Sequence, residues 1–114
     1  MSIGLQKLSL KAKLFRGFSD PVRLSILESL REGERATSEI VREVNQSQSN
    51  VSNHLAALLD CGLVKNRREG RNIFYSLRNN KTSKILAEGD AILSEIAKEL
   101  FECCNYNYGK DSKK

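Results

Sequence analysis

A chain of 114 residues, 39% of them hydrophobic, can bury one modest core and is too short for a large two-domain enzyme. Its 19 Lys and Arg against 14 Asp and Glu leave a net charge of +5, which suits a polyanionic partner without identifying one. Apolar runs fall well short of the roughly 20 residues that span a bilayer, the N-terminal stretch lacks a signal-peptide centre, and 3 cysteines make a poor disulfide framework; a cytoplasmic protein with reduced thiols and no membrane contact is expected.

Leu5, Leu8, Ala12, Phe15 and Phe18 recur at helical spacing, so the chain is expected to open with an amphipathic helix whose apolar stripe needs a partner. Asp20-Pro21 then reads as an N-cap followed by proline at the first helical position. Val22, Ile26, Leu27 and Leu30 carry that second helix to a stop at Gly33. Thr37 can cap a short third helix through Val44, with Ile40, Val41 and Val44 facing inward, and Ser47 can cap a fourth. In the fourth, Val51, Leu55 and Leu58 share the inner face, leaving Gln48, Ser49, Ser52 and Asn53 outside until Gly62 ends the helix.

Two strand-like runs around Glu69-Gly70 follow, with Ile73, Tyr75 and Leu77 alternating with Phe74 and Ser76, which predicts a β-hairpin. From Lys84 to about Phe101 the helical period returns through Ile85, Ile92, Ile96 and Leu100, and Gly89 inside it is a candidate bend. The expected fold is mainly α with a β-hairpin wing, a winged helix-turn-helix flanked by one helix on each side. Residues 1–108 should form this single domain, and 109–114, GKDSKK, a frayed tail.

A helix, a tight turn, a second helix and a basic hairpin make a DNA-reading arrangement: the second helix fits the major groove and the hairpin reaches the flanking backbone or minor groove. The candidate DNA surface is therefore Gln48, Ser49, Asn50, Ser52, Asn53 and His54 on the fourth helix, with Lys65, Arg67, Arg68 and Arg71 on the hairpin. The plainer alternative is a solvated polar face and an ordinary charged turn; a further one is a winged-helix module for protein contacts. For the lone His54 a DNA contact or a capping hydrogen bond is favoured over ligation or catalysis. No Ser-His-Asp set, phosphate loop or carboxylate pair points to an enzyme. The acidic residues Glu88, Asp90, Glu95, Glu99 and Glu102 read most simply as a solvated face.

The run from Ser19 to Leu77, above all the blocks DPVRLSIL, SNVSNHLAALLDCGLV and EGRNIFYSL, resembles the winged-helix core of the ArsR/SmtB repressors. The resemblance covers about half the chain. It implies a homodimer built from the first and last helices, bound to operator DNA near its own gene and released by an inducer, and the two apolar stripes independently ask for such a partner. The third helix lacks the cysteines of the Cys-x-Cys sensors, and the last has no histidine for a His-rich zinc site. Cys61, immediately before Gly62-Leu63-Val64, matches a ligand of the family's cadmium and lead sensors of mycobacterial type. A second ligand of those sensors, four residues earlier, is replaced here by Ala57, while Cys103 and Cys104 offer thiols where a C-terminal ligand is expected.

The resemblance thus implies Cys61, Cys103 and Cys104 as ligands for a soft ion, Cd(II) or Pb(II), with As(III) the nearest rival. Thiol-redox sensing through Cys61 and inert cysteines stay open as alternatives. Cys61 would sit where the DNA-reading helix ends and the wing begins, so that a bond made there could move both.

Overall fold

The computed structural model describes the backbone of residues 3–112 and the side chains of residues 4–101. Helix α1 (Ile3–Arg16) ends one residue before Gly17, and α2 (Pro21–Ser29) starts on the expected cap. The Asp20 carboxylate accepts from the Val22 and Arg23 backbone N–H groups at 2.9 and 3.1 Å, satisfying two of the donors a helix start leaves free. After α2 the chain turns at Gly33, whose φ of 141° is a conformation reserved in practice for glycine.

A short strand, β1 (Arg35–Ala36), follows, pairing antiparallel with the later hairpin: Arg35 opposes Tyr75 and Ala36 opposes Phe74. Two residues carry no alternation that a sequence can show, which is why no strand was expected there. This strand also corrects the start of α3 (Thr37–Val44). Ala36, not Thr37, is its N-cap; the Glu39 carboxylate reaches back to accept the Ala36 N–H at 2.8 Å, and the Thr37 hydroxyl donates to the Ile73 carbonyl instead.

Helix α4 (Gln48–Cys61) follows a tight turn at Asn45, which sits at φ 57° in the left-handed region asparagine tolerates. Ser47 caps it, its hydroxyl accepting the Asn50 N–H at 3.1 Å, and Gly62 at φ 81° ends it, as expected. Strands β2 (Val64–Glu69) and β3 (Asn72–Leu77) form the hairpin, and the sheet order is β1-β3-β2. The core lies between helices and sheet: Ile26, Leu27, Leu30, Ile40, Val51, Leu55, Leu58, Leu63, Val64 and Tyr75 are all buried.

The chain divides into two compact units after Thr82. Helix α5 (Asn80–Ser112) starts where Asn79 accepts the Lys81 N–H and supplies nearly all of the second unit. It begins earlier and runs longer than the periodicity of Lys84–Phe101 indicated, and continues through Gly89, where no neighbour lies close enough to require a glycine. Of the tail expected at 109–114, residues 109–112 belong to the backbone of this helix, and 113–114 lie outside the described residues. Among the described residues, no helix is long and apolar enough to cross a membrane.

The stripe on α1 is left uncovered, with Leu5, Leu8, Leu10 and Phe15 exposed, and so is that of α5, where Ile92, Ile96 and Leu100 are exposed.

Candidate nucleic-acid interface and thiol site

Because Val51, Leu55 and Leu58 turn inward, the 3.6-residue period places Gln48, Ser49, Ser52 and Asn53 on the outside of α4, and all four are exposed. Short neutral amides and hydroxyls on a free helix face can exchange hydrogen bonds with base edges. Gln48 and Ser52 form one wall of a cleft of about 290 Å³ whose other walls include Thr37 and Ser38 at the start of α3, Arg71 in the hairpin turn and Asn72 at the start of β3. The cleft is open, polar and carries the cation of Arg71. Thr37 was read from the sequence only as a helix cap, and Ser38 was not singled out, since their place in the cleft depends on the hairpin folding back beside them.

Two residues of the same helix are engaged within the protein. The Asn50 amide donates to the Gln46 side chain at 2.8 Å, next to the cap. His54 is only 20% exposed and turns its Nε2 toward the Asp20 carboxylate at 3.7 Å, tying α4 to the start of α2. The Arg23 N–H, with further help from His54 and the Val22 N–H, holds the Asp20 carboxyl below the ordinary carboxylate range. A DNA contact or a capping hydrogen bond was expected of His54; at 3.7 Å its Nε2 approaches the capping carboxylate of α2 without making a hydrogen bond.

The four hairpin cations divide by strand period. Side chains of β2 alternate across the sheet, so Lys65 and Arg67 share one face with Ser76 and Phe74, their cross-strand partners, while Arg68 lies on the other face opposite Ile73. Ile73 belongs to the cleft beside α4, so Arg68 shares the cleft's side of the sheet and Arg71 lines the cleft itself. Arg67, on the far face, donates to Glu34 from Nε at 2.7 Å and from Nη2 at 2.8 Å, to Glu69 from Nη1 at 2.9 Å, and stacks 4.7 Å over the Phe74 ring. The hydrogen bonds from Arg67 hold the Glu34 carboxyl low, and those to Glu34 and then Glu69 push the guanidinium higher still. Period two was available in the sequence and would have separated Arg67 from Arg68; nothing in the sequence would have named Glu34, 33 residues away.

At the other end of α4, the Cys61 thiol is free and half-buried, and donates to the Lys13 carbonyl at 3.4 Å. The Lys13 ammonium pairs with Asp60 at 2.8 Å, which raises its pKa. Consecutive residues of α4 thus hold both the backbone and the side chain of one residue in the last turn of α1. Gly17 makes the approach possible: a Cβ there would meet Leu63 Cδ1 at 2.5 Å and come within 3.6 Å of the Cys61 sulfur. Ala57, a turn earlier, offers no ligand, and among the described residues no three His, Cys, Asp or Glu side chains gather closely enough to hold an ion. Cys103 and Cys104 lie outside the residues whose side chains are described.

Residues 20–66 match the family model described as "Bacterial regulatory protein, arsR family". A protein named as a probable mercury resistance operon repressor from Streptomyces lividans is 36% identical over 93 residues, covering 82% of this chain and 74% of that one. The transcriptional regulator CmtR of Mycobacterium tuberculosis is 38% identical over 77 residues, 68% of this chain and 65% of its own length. Among solved structures, the homodimeric winged helix-turn-helix DNA-binding domain of a possible ArsR-family regulator from Mycobacterium bovis superposes with a TM-score of 0.80 at 27% identity, covering 87% of this chain and 93% of that domain.

Proposed function

Because the chain belongs to the arsR family of bacterial regulatory proteins, we propose that it is a metal-responsive transcriptional repressor that binds operator DNA as a homodimer and is released when a soft thiophilic ion is held by Cys61 together with Cys103 and Cys104. The observation that carries the DNA half is the capped α4 with its exposed Gln48, Ser49, Ser52 and Asn53, set beside a cleft that carries Arg71. The relative named as a probable repressor and the similar domain described as homodimeric and DNA-binding support the rest of that half.

The sensing half rests on Cys61. Its thiol is a soft donor suited to Cd(II) or Pb(II), with As(III) next, and the name of the Streptomyces relative adds Hg(II). The thiol also has something to lose. Loss of its proton, whether to an ion or to oxidation, ends its donation to the Lys13 carbonyl and turns a donor–acceptor contact into one between two electron-rich atoms, loosening the end of α1 from the end of α4. One end of α4 then carries the signal and the other reads DNA.

The test is a mobility shift in graded salt on a duplex enriched by the protein from a random-sequence pool, repeated with Cd(II), Pb(II), Hg(II) and As(III) under reducing conditions. Binding that falls steeply with salt supports the DNA half, and salt-independent binding or none overturns it in favour of a protein-interaction module. Release by one or more of these ions supports sensing. Release only on oxidation would assign Cys61 to redox control instead.

A further inference from the structure

Arg67 sits among cations on a basic hairpin, yet its chemistry is turned inward. Its planar fork meets both oxygens of Glu34, its remaining terminal nitrogen meets Glu69, and its face covers Phe74. To reach a phosphate it would have to leave two carboxylates, and those carboxylates would then repel the phosphate. Glu34 lies outside the hairpin, in the connection between α2 and β1, next to the two-residue ladder that pairs β1 with β3. Strand β2 is the outer strand, bonded in the sheet to β3 alone. The Glu34–Arg67 fork therefore spans β3 and ties the outer strand back to the body at a point the ladder does not reach.

We propose that Glu34 and Arg67 are positioning residues that fix the hairpin relative to the helix-turn-helix, so that Arg68 and Arg71, and not Arg67, supply its contacts to the phosphate backbone. The proposal rests on the DNA-binding reading for its consequence, and on the ion-pair geometry alone for the anchor. Bidentate geometry, a third carboxylate contact and ring stacking are the features that let an exposed pair hold a conformation that isolated surface pairs do not.

Simple electrostatics and anchoring give opposite signs for one variant. Removing the negative charge of Glu34 should tighten DNA binding if only charge matters, and weaken it if Glu34 holds the hairpin. We expect Glu34→Gln and Arg67→Gln each to weaken binding to the enriched duplex about two- to fivefold, with the wild-type salt slope retained and the double variant no worse than either single one. In the protein without DNA, hydrogen exchange of the β2 and β3 ladder amides should quicken in both variants to the same extent. Tighter binding by Glu34→Gln, or a slope flattened by roughly 0.9 in Arg67→Gln, would overturn the proposal by making Arg67 a phosphate contact. Unchanged exchange in both variants would equally overturn the anchor. Should the wild-type protein bind no duplex, the DNA reading fails, and the exchange measurement still decides whether Glu34 holds the hairpin.

Discussion

Cys61 and Asp20 show how much a single side chain can carry when it stands at a helix end. Cys61→Ser replaces a soft ligand by a hydroxyl of similar size that can still donate to the Lys13 carbonyl. We expect this variant to fold and bind duplex like the wild type but to remain bound when the inducing ion is added; a variant still released by that ion would refute the role of the thiol. Asp20 caps α2 and faces His54, and its folded-state pKa is lowered, chiefly by the Arg23 N–H. The sign follows: the ionised cap stabilises the fold above the unfolded carboxylate value of about 3.9, and this contribution fades as pH falls through the lower folded value. Asp20→Asn, which keeps an acceptor but not the charge, should melt below the wild type at neutral pH. The gap should close in acid; one that persists unchanged at low pH would show that ionisation contributes nothing.

Helix α4 works as an element with two specialised faces and two specialised ends. Its inner residues fix the roll of the helix, and that roll is what exposes Ser49 and Asn53. Ser49→Ala combined with Asn53→Ala should weaken binding to the enriched duplex by about 1–3 kcal/mol per lost base contact and leave binding to random duplex nearly intact. Competition with both duplexes checks this, and equal losses on the two would mean that the face contacts backbone only. The hairpin obeys its own period. Arg68→Ala and Arg71→Ala should weaken binding to every sequence and flatten the salt slope, as read from affinities across a salt series, because both lie on the side of the sheet that faces the cleft.

For the molecule as a whole, the apolar residues that the fold does not cover set the expectation. Leu8 is 60% exposed on α1 and Ile92 is 54% exposed on α5, each within a run of similar side chains, so each helix keeps a stripe that burial would stabilise. A second copy of the chain supplies such surfaces by symmetry. Sedimentation should give a dimer at micromolar concentration, and Leu8→Glu should shift it toward monomer. A wild-type monomer that still binds duplex tightly would refute this.

Short-range chemistry determined much of the architecture. Asp20-Pro21, Ser47 and Gly62 mark helix ends because caps and left-handed termini involve neighbours a few residues apart, and the periods of α4 and the hairpin follow from inward residues within one element. The polar face of α4 was legible for the same reason. The tertiary structure alone decided what depends on distant partners: β1, which exists only because β3 lies beside it; the turn of His54 toward Asp20; the capture of Arg67 by Glu34; and the pairing of the Cys61 thiol with the Lys13 carbonyl across 48 residues of chain. A charge in a sequence carries no record of whether a carboxylate will meet it, because side-chain attraction acts over a few ångströms of space and only the folded backbone brings those residues within reach.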